Sequence, residues 1–369
     1  MFRQIIYTVI LSSSVITAAY CAEEVEKHLL YVGLPGVRDD VSLGGEGIAV
    51  FDIDREHAFV KRIPTPIRNA AGKVEAVKGI CASAATKRLY FSTPTRLICI
   101  DLSSEKPLWE KSPAGGCDRM AISPDGKIVY VPSFEGPLWN VIDADTGETI
   151  AKIEPKSGAH NTNYGLDGTR AYLAGLKAKL LTVADTRTHT ALKTIGPFSA
   201  SIRPFTINGA QTLCFACVND LLGFEIGDLE SGKMTFRVEV PDFKKGPVKY
   251  HGCPSHGIAL TPDEKEIWVD DAFNKSVHVF DATVMPPKYS ASIKVRDESG
   301  WVTFGIDGRF AYPSTGDVID TKSRTIVAAL KDENGKSVHS EKLLEIDFST
   351  GACRAGDQFG VGRVRASLP

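Results

Sequence analysis

Lys78, Arg119, His160, Arg203, His256 and Trp301 recur at a period of roughly 42 residues along this 369-residue chain. Each stands at the same place in a repeating unit, just ahead of a short β-rich run that leads into a turn. The turns and runs resemble one another from unit to unit, whereas these six positions differ and carry reactive side chains. Arginine presents a planar fork of donors that matches a carboxylate or phosphate. An imidazole, with an ordinary pKa near ~6.5, serves as general acid or base at neutral pH. The set therefore predicts a small-anion site with Lys78, Arg119, Arg203, Trp301, Asp118 and Asn161 as binding groups and His160 and His256 as candidate catalytic groups. Any one such loop residue more often satisfies a carbonyl or pairs with an acid such as Asp118. The ring as a whole carries the functional reading, because loops on a rigid scaffold commonly hold sites.

A second chemistry is written into the loop His251-Gly-Cys-Pro-Ser-His256. His251, Cys253 and His256 offer N and S donors, with His160 as a further one, and their softness suits copper or zinc. The spacing matches no established zinc pattern. Cys214-Phe-Ala-Cys217 lacks the following histidine of a covalent haem site. Residues three apart on a strand face opposite sides, so both are expected in the core. HExxH, GxSxG, P-loop and GxGxxG motifs are absent, and no other cofactor is indicated.

The elements that must position these groups are short strands joined by recurring turns. Ser123-Pro-Asp-Gly126, Gly165-Leu-Asp-Gly168, Thr206-Ile-Asn-Gly209, Thr261-Pro-Asp-Glu264 and Gly305-Ile-Asp-Gly308 are one unit, and Asp-Gly or Asn-Gly is a strong hairpin signal. A second anchor is an apolar strand ending in aspartate, at Asp52, Asp101, Asp143, Asp185, Asp228, Asp281 and Asp320. A carboxylate there can accept from the backbone of the next turn, so these aspartates read as structural. Four short strands per unit at this period predict a β-propeller, with seven blades.

The unit Met120-Ala-Ile-Ser-Pro-Asp-Gly-Lys-Ile-Val-Tyr-Val131, followed by Val141-Ile-Asp-Ala-Asp-Thr-Gly-Glu-Thr149, resembles the YVTN-repeat β-propeller family, and the likeness extends over most of residues 28–330. That family is similar to lactonase-type and quinoprotein-type propellers. The resemblance implies an all-β propeller and leaves three functions open, since fold alone does not set function. They are a propeller binding a small anionic molecule at the channel mouth, a lactonase-like hydrolase or lyase using a histidine base with arginine anchoring, and a scaffold for a protein partner.

His28 to Val32 matches the second strand of a unit, and Lys342 to Phe348 is a surplus strand after the last. Supplying the missing inner strand from the C-terminal side closes the ring and removes exposed edges. One propeller domain is thus expected over residues 28–350, with 351–369 as an extension. Residues 1–22 have the layout of a secretory signal peptide, which predicts a secreted or periplasmic protein with no membrane span in the mature chain. The net charge of −2 lacks the basic excess of a nucleic-acid binder.

Overall fold

A computed structural model describes residues 26–65, 67–349, 352–355 and 363. The expected signal segment, residues 1–22, and most of the expected extension lie outside the described residues. The described chain is all-β, with two short 3-10 turns, and its strands form seven sheets. Six blades follow chain order, each with four antiparallel strands running from the axis outward: residues 79–111, 121–153, 159–195, 202–239, 258–294 and 302–329, here blades 2 to 7.

Blade 1 is composite. Lys27–Leu34, Gly47–Asp52 and Ala58–Ile63 supply its second to fourth strands, and Leu343–Ser349 supplies the first. The two ends of the chain pair antiparallel, with Leu29 opposite Ile346 and Tyr31 opposite Leu344. A further strand, Ala352–Ala355, pairs with the closing strand on its axial side, so this sheet has five strands.

The local chemistry of the repeat explains its persistence. All seven strand-end aspartates accept hydrogen bonds from the turn that follows, as Asp143 does from Asp145 N and Thr146 N at 3.0 and 2.8 Å. The hairpin turns close with a left-handed residue in fourth place: Gly126, Gly168 and Gly308, but Lys87, Gln211 and Glu264 in the other blades. In blade 5 the turn runs from Asn208 to Gln211, two residues later than the sequence unit Thr206–Gly209 suggests. Asn208 there fills the role of Ser123, its side chain accepting from the backbone of Thr212 and Leu213.

Neighbouring blades are clasped by the aromatic residue of the second strand. Tyr90 donates to Ala144 O, Tyr130 bonds His189, Tyr172 donates to Gln211, and Tyr312 bonds His57 at 3.1 Å, each partner belonging to the next blade. Cys214 and Cys217 pack into two different inter-blade cores, as alternation on a strand requires. No helix among the described residues is long and apolar enough to cross a membrane.

Candidate functional site at the channel mouth

The inner strands all begin at one end of the ring, so the residues that open them crowd around the axis. Lys78, Arg119, His160, Arg203 and His256 line one cavity of about 120 Å³ together with Asp118. The same cavity is lined by Arg38, Tyr250, His251, Glu341 and Lys342. The prolonged connection between Lys233–Glu239 and Ile258–Leu260 brings in Tyr250, His251 and His256. Trp301 does not line the cavity; it is buried beneath it, with the Arg119 guanidinium 3.9 Å above its ring centre. That stacking fixes the plane of the guanidinium.

Glu341 is the centre of charge. It is buried and paired with Arg119, it accepts from Lys342 Nζ at 2.7 Å, and its other oxygen lies 3.2 Å from His251 Nδ1. Burial opposes its ionisation, yet Lys342, Arg119 and His251 together hold its carboxyl well below the usual range. Lys342 also donates to Gly36 O at 2.8 Å. Burial, followed by the repulsion of Arg119, lowers its ammonium to about 7. His256 is pushed well below its ordinary value by burial and then by His251, with Arg119 adding to the effect. It bonds Gly300 O at 2.9 Å through Nδ1, and its ring stacks on His251 at 4.8 Å. Only glycine fits at position 300, because a Cβ there would overlap the His251 ring.

His160 is anchored by Asp118, whose Oδ2 lies 2.6 Å from Nδ1. That carboxylate–imidazole dyad leaves Nε2 as the unoccupied edge of a group lining the cavity, the arrangement of an oriented base. Arg203 donates to Asn219 Oδ1 at 2.6 Å, Arg38 to Tyr250 O at 2.6 Å, and Lys78 lies 4.9 Å over the Phe134 ring. None of these three has a carboxylate partner among the described residues. Arg119 Nη1, His251 Nε2 and Asp118 Oδ1 are buried, belong to cavity-lining residues and have no hydrogen-bond partner. Buried polar groups left in this way mark a place where a ligand or water completes the network.

Two expected residues besides Trp301 stand apart. Asn161 is buried on the inner strand of blade 4, its neighbour across an isolated bridge being Arg119 of blade 3, and it does not line the cavity. Cys253 turns its thiol to Ser255 O at 3.0 Å, so the anticipated His251–Cys253–His256 donor set does not assemble. The donors that do come within 4.8 Å of one another are His251, His256 and Glu341.

Glu341, Lys342 and Arg38 are not among the residues expected from sequence. Lys342 directly precedes the closing strand, just as Lys78 precedes Gly79–Ser83. Applying the same position to that strand would have found it. Arg38 sits on the connection between the second and third strands of blade 1, residues 35–46, which is longer than its counterparts at 93–96 and 133–138.

No protein-family model and no curated protein matches the sequence, so the YVTN-repeat likeness is not confirmed in that way. Solved structures do match. "Dihydro-heme d1 dehydrogenase NirN in complex with DHE" is 15% identical with a TM-score of 0.60, over 89% of this chain and 72% of that one. "Kuenenia stuttgartiensis Hydrazine Synthase" is 14% identical with a TM-score of 0.47, over 68% of this chain and 94% of that one. At such identity the likeness to NirN concerns the propeller fold.

Proposed function

We propose that this propeller binds a small anion, a carboxylate or an oxyanion of similar size, at the channel mouth. The observation that carries this reading is the convergence of five cationic side chains, Arg38, Lys78, Arg119, Arg203 and Lys342, on one small cavity whose buried acids are already engaged. Arg119 holds Glu341 with one nitrogen and leaves Nη1 buried without a partner. A ligand oxygen would satisfy that donor.

The volume describes the recess among the cationic groups, which opens to solvent. Pockets for drug-sized ligands run to roughly 300–1,000 Å³, so a recess of about 120 Å³ suits an anionic group of a few heavy atoms held among the cations. The surrounding cations also favour an anion over a metal ion at His251, His256 and Glu341, because two of them already compensate the single carboxylate. Residues 1–22 support export before the protein meets its ligand, and N-terminal sequencing of the mature protein tests that.

Calorimetric titration with pyruvate, oxalate, phosphate and sulfate tests the site. Arg203→Ala is expected to weaken binding by about 10- to 100-fold, corresponding to the roughly 1.5–3 kcal/mol of one charged hydrogen bond. Its melting temperature should stay unchanged, since Arg203 is half-buried and bonds neutral groups. Equal affinity in wild type and variant, or no binding of any of the four anions, would refute the assignment.

A further inference from the structure

We infer that Lys342 is the nucleophile of a Schiff-base site for small 2-oxo acids, housed in the anion-binding mouth. The inference rests on the anion reading and adds a covalent step to it.

Among the cavity-lining cations, Lys342 has the surroundings such chemistry needs. It is a primary amine, which the three arginines are not, and it is buried, whereas Lys78 is half-buried against Phe134. Burial beside a second fixed cation favours the neutral, nucleophilic form of an amine, and Arg119 is that cation. Glu341 Oε2 lies 2.7 Å from Nζ and Gly36 O at 2.8 Å, so the amine is held in place and has a carboxylate beside it to pass protons. A 2-oxo acid fits this set because its carboxylate meets the arginines while its carbonyl carbon, one bond away, meets the amine.

The Nζ lone pair forms a bond to the carbonyl carbon as the C=O electron pair moves onto oxygen. Protons leaving nitrogen pass by way of Glu341 to that oxygen, which departs as water and leaves an iminium. From the ammonium form, the balance is ammonium plus carbonyl to iminium plus one water. The positive charge on nitrogen beside Glu341 is thus the same before and after the step. His160, oriented by Asp118 and lining the same cavity, is the base that would take a proton from the carbon next to the iminium and form an enamine.

The full chain is incubated with pyruvate and sodium borohydride, which supplies the hydride that reduces the iminium, and peptides are then mapped by mass spectrometry. One reduced pyruvyl group on the peptide holding Lys342 is expected, absent in Lys342→Arg and severalfold lower in Arg203→Ala. In D₂O without borohydride, the protein should speed the loss of the pyruvate methyl proton signal above the buffer rate, and Lys342→Arg should not. An unlabelled Lys342 in wild-type protein that binds pyruvate by calorimetry overturns the Schiff base and leaves the anion reading intact. Labelling spread evenly over surface lysines overturns it as well, and trapping of acetone as efficient as that of pyruvate overturns the acid as substrate. Absence of any anion binding sinks both readings together.

Discussion

Glu341 is the residue on which the mouth depends. Its carboxylate separates Arg119 from Lys342, two cations that would otherwise face each other out of water. Removing one member of a buried ionic cluster typically costs about 3–5 kcal/mol, because the charges left behind are uncompensated. Glu341→Gln is therefore expected to lose stability of that order at pH 7, measured by urea unfolding. The pH response of Lys342 provides a second check. The groups that face its amine are Glu341, Arg119, Lys78 and the Gly36 carbonyl. With its value near 7, borohydride trapping should rise through neutral pH and level off by about pH 8–9, whereas an ordinary lysine keeps gaining reactivity up to about 10.4. Arg119, His160, Arg203, His256 and Trp301 were legible because each precedes a recurrent turn, and Lys78 because it falls one period earlier. Glu341 and Lys342 escaped because the closing strand is followed by no such turn, and pairing between groups 222 residues apart leaves no trace in local spacing.

At the scale of elements, the inter-blade clasps decide where pH reaches the fold. His57, in the outer turn of blade 1, bonds Tyr312 and packs edge-on to Phe310 of blade 7, so it fastens the seam where the ring closes. Burial, and then Arg309, lower its pKa to about 4. The folded value thus lies below the unfolded value of ~6.5, and folding favours the neutral ring. Its contribution is complete above pH ~6.5 and is lost as pH falls from there toward 4, by about 3 kcal/mol in all. The melting temperature should drop over that window, and His57→Gln, which has no proton to gain, should show a smaller drop. Strand order, the seven aspartates and most turns could be read from the sequence because they rest on local backbone chemistry. The clasps could not, since Tyr90 meets a carbonyl, Tyr172 a glutamine and Tyr312 a histidine. The turn of blade 2, Ala84 to Lys87, carries no proline, aspartate or glycine to announce it.

For the molecule as a whole, closure and site are one structure. The segment that opens the closing strand is stitched to both neighbours: Ser340 N to Ser314 O of blade 7, Gly33 N to Lys342 O and Lys342 Nζ to Gly36 O of blade 1. Deleting residues from Lys342 onward should expose two sheet edges and abolish both cooperative unfolding and anion binding. Deleting from residue 352 removes the extra axial strand and Arg363, which donates to Ile306 O, and should leave anion affinity as it was. A truncation at 342 that melts like the intact protein would disprove closure by this strand.

Because Glu341 and Lys342 lead into a strand that a ribosome makes after all six other blades, the binding site is the last part of the propeller to come into being. An anion that fits the mouth therefore meets only finished rings. By mass action it would hold them shut, adding about 2.7 kcal/mol at a hundredfold excess over its dissociation constant. Occupancy by the proposed anion would then double as an inspection of assembly, one that a chain not yet closed, or clipped open, does not pass.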